Sequence, residues 1–86
     1  MAPALQKTSQ IGAFGFLIYW LAEQPEKSAN LWLDNRRPTP LAKLSKARIA
    51  SILEVLIQND LVHDYVIFPA HILVTSSARF EGLRRG

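Results

Sequence analysis

The chain of 86 residues has no cysteine. That absence excludes disulfide scaffolds, thiolate metal sites and cysteine nucleophiles, and it fits a reducing cytoplasm. Long hydrophobic runs are missing too. The longest, Ile11 to Ala22, covers about twelve residues and contains Gly12 and Gly15, whereas a membrane-spanning helix needs roughly 20 apolar residues. Lys7 is the only charge before this run and Glu23-Gln24-Pro25 follows it, so neither a targeting segment nor a membrane partner is expected. No glycine pattern of a nucleophile elbow surrounds any serine, and no glycine-rich phosphate loop is present. Glu54 and Glu81 are isolated carboxylates without acid–base spacing. His63, His71 and Asp64 imitate a metal site if the two histidines face each other across a hairpin, but a third firm ligand is lacking. The expectation is a protein that is not an enzyme and carries no metal or cofactor.

What is present is an apolar-leaning single domain, residues 1–86, with 49% hydrophobic and 20% charged residues and a net charge of +3. The cations are unevenly placed. Arg36, Arg37, Lys43, Lys46 and Arg48 lie between Asn35 and Leu53 with no acid among them, while the rest of the chain carries five cations and seven acids. Such segregation favours a polyanion or an acidic partner at one face; a solvated basic loop is the plainer alternative.

The most regular stretch is Ser45 to Val62, SKARIASILEVLIQNDLV. Ile49, Ile52, Leu53, Leu56 and Ile57 recur at helical spacing and form one stripe. Ser45 suits the N-cap, where its hydroxyl accepts from first-turn amides. Asn59-Asp60 tolerate the left-handed conformation that ends a helix, and Leu61-Val62 opens a strand.

This succession of cap, helix, turn and strand resembles the recognition-helix half of winged helix-turn-helix proteins such as MarR-type regulators. In that family a Ser opens the helix, apolar residues occupy the positions of Ile49, Leu53 and Leu56, and G-L-V closes it. Here Asp60 stands in place of the Gly. The likeness spans roughly residues 41–83, and VTSSAR near its end is similar to the family's L-T-x-x-G-R, with Ala78 for Gly. One departure is local: LAKLS reaches the Ser45 cap about three residues early. Either the supporting helix is shortened to about one turn, or residues 39–59 form one helix; a capping Ser at position 45 favours the first.

The remaining segments fit around this unit. Residues 1–7 read as a flexible tail. Thr8 or Ser9 caps a first helix that Pro25 stops near Gln24, with Ile11, Phe14, Leu17, Ile18 and Leu21 on one face. Phe16, Tyr19 and Trp20 fall on other faces, so this helix is either a dimer or partner interface or is covered by later elements. Gly12 and Gly15 permit close helix approach or mark a late helix start. Glu26 to Asn30 reads as loop, Leu31 to Leu33 as a short strand, and Thr39-Pro40 as a helix opening. Leu61 to Phe68 and Ile72 to Thr75 form a hairpin turned at Pro69-Ala70-His71, and Thr75 or the serines after it cap a last helix through Leu83.

The expected fold is α+β: a winged helix-turn-helix of about three to four helices with a small antiparallel β-hairpin, the wing. The resemblance implies a cytoplasmic, DNA-binding regulator of transcription, a dimer acting by operator occupancy on double-stranded DNA. Arg48, Ser51 and Lys46 would meet bases or the nearby backbone, and Arg36, Arg37 and Lys43 would hold phosphates. Arg79, Arg84 and Arg85 add to this if the C-terminus lies near DNA. The apolar first helix, a wing tip (Phe68 to His71) without Lys or Arg, and Glu54-Val55 on the second half of the reading helix suit a different use: a winged-helix adaptor, subunit or inhibitor in a protein complex.

Overall fold

A computed structural model describes the backbone of residues 4–36 and 41–85 and the side chains of 12–36 and 41–84. The order is α1 (Ala4–Ala22), β1 (Ser28–Trp32), α2 (Lys46–Gln58), β2 (Val62–Ile67), β3 (His71–Ser76) and α3 (Ala78–Arg85). The class is α+β, three helices with a three-stranded antiparallel sheet in the order β1-β3-β2. Among the described residues no helix is long and apolar enough to cross a membrane.

Helix α2 follows from local chemistry. Ser45 is extended, and its hydroxyl accepts from the Arg48 amide at 3.1 Å. Ile49, Ile52, Leu53 and Leu56 are buried and Ile57 is half-buried, as the helical stripe requires. Asp60 ends the element with φ 59; short polar side chains bear that region better than most. The approach to the cap is a single turn at Leu41, with the Leu44 amide donating to the Leu41 carbonyl at 3.1 Å. Leu44 and Ser45 are not helical, so one continuous helix through residues 39–59 is ruled out. The proposed opening at Thr39-Pro40 lies outside the described residues.

Helix α1 differs from expectation in two ways. Its backbone is already helical from Ala4, then breaks at Gly12 (φ 81, ψ −167), a conformation essentially reserved for glycine. A Cβ on Gly12 would meet nothing within 4 Å, so the residue serves the break rather than close packing. The second difference is rotational. Leu17 and Leu21 are buried and Ile18 is half-buried, but Phe14 is 40% exposed, while Phe16 and Trp20 pack against the core. A helix apolar nearly all round carries no periodic signal for its phase. Residues 1–3 of the expected tail are outside the described residues, as is the side chain of Ile11.

The sheet extends further than the sequence suggests. Ser28 to Asn30, expected as loop, pair with Thr75 to Leu73, and the ladder runs on through Leu31↔Ile72 and Trp32↔His71. Ser28 and Asn30 alternate with half-buried Ala29 and buried Leu31, the pattern of an edge strand with one wet face. Leu33 continues the pairing, its amide donating to the Ala70 carbonyl at 2.9 Å. In β2 an extra residue sits between Val62↔Ser76 and Asp64↔Thr75. This bulge at His63 lets Val62 and Tyr65, three apart, both turn toward the core.

The helices and the inner sheet face enclose one core, including Leu17, Leu31, Leu41, Leu53, Ile72, Val74 and Phe80. One edge of it is closed by polar groups. Buried Ser77 accepts from the Phe80 amide at 2.9 Å as the cap of α3, and its hydroxyl donates to the Asp60 carbonyl at 2.7 Å. Buried Ser76 donates its hydroxyl to Glu81 and its amide to the Lys27 carbonyl.

Candidate nucleic-acid interface

The first turn of α2 sets out the exposed side chains of Lys46, Ala47 and Arg48, with Ser51 one turn on. Lys43 is exposed on the preceding turn. Among the described residues the side chains of Lys43 and Arg48 have no hydrogen-bond or ion-pair partner. Ser51 donates to the Ala47 carbonyl at 3.1 Å, which leaves its oxygen free to accept. Lys46 reaches across to the hairpin: its Nζ lies 3.4 Å from the Pro69 carbonyl. A tip without a cation of its own is thus supplied with one by α2.

The other expected contacts are engaged elsewhere. Arg36 forms a two-pronged pair with Asp34 (2.9 Å between Nη2 and Oδ2) and lies over the Trp32 ring at 3.6 Å. The guanidinium holds the Asp34 carboxyl at about 2, mainly through that side-chain hydrogen bond, so Arg36 adds little net charge to the surface. Asp34 stands just outside the acid-free segment. Arg37 lies outside the described residues. Arg79 donates to the Asn59 carbonyl at 3.1 Å, and Arg84 pairs with Glu81 at 2.8 Å and bonds the Gln24 carbonyl; these two hold the fold together. The side chain of Arg85 is not among those described.

The second half of α2 is occupied by structure and by apolar surface. Glu54 accepts from the Tyr65 hydroxyl at 2.7 Å, tying α2 to β2, and this bond raises the Tyr65 pKa, with burial adding to it. Val55 is 39% exposed. With Phe14, Ala13, Leu44 and Ile52 it lines a groove of about 510 Å³ between α1 and α2, and Arg48 and Ser51 stand in the same wall. Of the aromatic residues assigned to an interface, Phe16 and Trp20 are half-buried on the core and Tyr19 is 54% exposed.

The two histidines do not meet. His63 sits in the bulge near Ser76, while His71 is at the far end of β3, paired with Trp32. No group of three metal-ligating side chains exists among the described residues. His71 instead joins an aromatic cluster absent from the sequence expectations. Its ring stacks on Phe68 (4.8 Å between centroids, 19° between planes) and lies tilted against Trp32 (4.9 Å). The only sequence signal for it is three rings at the ends of predicted strands, whose register the sequence does not give.

Comparison with family models, curated proteins and solved structures found no match to this chain. The class that stands is an α+β domain whose capped helix and adjoining hairpin share one cationic edge.

Proposed function

We propose that this chain is a winged-helix DNA-binding module: α2 is the reading helix, the β2–β3 hairpin is the wing, and the protein regulates transcription by occupying an operator. The observation that carries this reading is the exposed set Lys43, Lys46 and Arg48 at the start of α2, with Lys46 touching the hairpin. Arg48 is suited to the paired acceptors of guanine, and Ser51 accepts or donates one turn further along. Lys43 and Lys46 serve as phosphate contacts.

Two phosphate contacts per protomer give a salt slope of about −1.8, or roughly a tenfold loss of duplex affinity between 50 and 200 mM salt; a dimer doubles the slope. A gel shift at those two concentrations tests this. Affinity no better than millimolar at the lower salt, or no response to salt, removes the proposal. Arg48→Ala should weaken binding to a selected duplex by about 5- to 100-fold and relax its sequence preference.

A second reading rests on the groove beside Arg48. Exposed Phe14 and Val55 there suit a protein partner, which makes the module an adaptor, subunit or inhibitor. Under it Val55→Asp abolishes self-association or partner capture, seen by light scattering, and duplex DNA is not bound.

A further inference from the structure

We infer that the tip of the β2–β3 hairpin is a stacking seat for an unpaired nucleobase, so that the protein binds single-stranded nucleic acid at this point. Four planar groups follow one another across the end of the sheet: Phe68, His71, Trp32 and Arg36. The fold sets their order. Trp32 and His71 are cross-strand partners, and the Phe68 amide donates to the His71 carbonyl at 2.8 Å, which holds Phe68 beside the same histidine.

Phe68 is the free end of this row. Its ring has His71 stacked on it, yet 40% of the residue remains exposed where it closes the Pro69-Ala70 turn. Trp32, by contrast, has Arg36 over its ring and His71 beside it. A backed aromatic ring that keeps open surface stacks any base whose face is available. Inside a duplex those faces are covered by neighbouring pairs, so the seat selects an unpaired base.

The charge at the tip suits the strand's backbone. Lys46 is exposed and its Nζ lies 3.4 Å from the Pro69 carbonyl, which uses one of three ammonium hydrogens. The others are available to a phosphate next to the stacked base. The Asp34 carboxylate, at the Arg36 end of the row, is bound to that guanidinium and so does not oppose the strand as a free charge.

The inference is independent of α2 reading duplex DNA, and a single experiment separates them. The full chain is titrated, by fluorescence anisotropy, into a short labelled oligothymidylate and into a blunt duplex of mixed sequence, at 50 and 200 mM salt. Phe68→Leu keeps the apolar bulk and removes the ring; Phe68→Tyr keeps the ring. For the single strand, Phe68→Leu should lower affinity by roughly 5- to 100-fold with the salt slope unchanged, and Phe68→Tyr should restore it. Lys46→Ala should reduce the slope by about 0.7. Failure to bind the oligothymidylate at the lower salt overturns the inference, as does a Phe68→Leu variant that binds it like the parent. A Phe68→Leu variant altered only in self-association also overturns it, and assigns the tip to contact between copies. Loss of blunt-duplex binding alone bears on the reading of α2 and leaves the seat standing.

Discussion

At the scale of single residues, the surface charge of this protein is decided by which cations are already held. Arg36 is bound in two places, by Asp34 and by the face of Trp32, and Asp34 responds with a carboxyl pKa lowered from 3.8 to about 2. A carboxyl depressed in the folded state favours folding above its unfolded value, and the benefit is lost as pH falls through the folded one. The window here is pH 3.8 down to about 2. An NMR titration of the Asp34 side chain should find its midpoint near 2 in the parent and higher in Arg36→Ala, though still below 3.8 because the backbone amide of residue 36 goes on donating to Oδ1; an unchanged midpoint would show that the side-chain pair does not persist in solution. The same change frees Trp32 from its cation and leaves the Asp34 carboxylate without its charged partner.

At the scale of elements, α2 and α1 form for opposite reasons. Helix α2 has its instructions inside itself: a capping hydroxyl, a buried stripe and a left-handed exit. Ser45→Ala should cost about 1 kcal/mol, since the Arg48 amide loses its acceptor. In a domain of this size that lowers the melting temperature by roughly 4–8 °C. Calorimetry showing no shift would mean that water replaces the cap without loss. Helix α1 takes its facing from the core, and its break rests on one residue without a side chain. At Gly12 the added methyl of Gly12→Ala touches nothing, so the penalty is the backbone conformation alone, about 1–3 kcal/mol. A stabilised Gly12→Ala variant would instead indicate that the two helical pieces fuse into one. The hairpin holds its register through the His63 bulge and the Glu54–Tyr65 bond to α2.

At the scale of the whole molecule, the ends of the chain are closed by long-range polar ties. Arg84, half-buried, pairs with Glu81 and bonds the carbonyl of Gln24, a residue 60 positions earlier. Arg84→Ala leaves that carbonyl and a carboxylate without their charged donor and should cost about 1–3 kcal/mol. Under the proposed DNA-binding reading, duplex affinity should stay at the parent value because Arg84 lies on α3 and not on the first turn of α2, and a parallel loss of affinity would add Arg84 to the proposed surface. The cations that do face outward, Lys43, Lys46 and Arg48, gather beside the hairpin, where Lys46 contacts Pro69. Helix α2 and the hairpin tip therefore present one edge, with the apolar α1–α2 groove flanking it on Arg48's side.

The sequence by itself determined the parts whose causes are local. The limits of α2, its cap at Ser45, the exit at Asp60, a hairpin within Leu61–Thr75 and a cap for α3 at Thr75 or the serines after it all rest on residues within a few positions of one another; the structure moves His71 from the expected turn into β3 and places the cap at Ser77. Tertiary structure alone decided the rotation of α1, the partners of Arg36 and Arg84, the extension of β1 to Ser28, and the union of Phe68, His71 and Trp32. Each of these depends on which distant segment comes to lie alongside. A helix apolar on nearly every side has no preferred face until a core meets it, and rings on two strands become neighbours only when pairing sets the register.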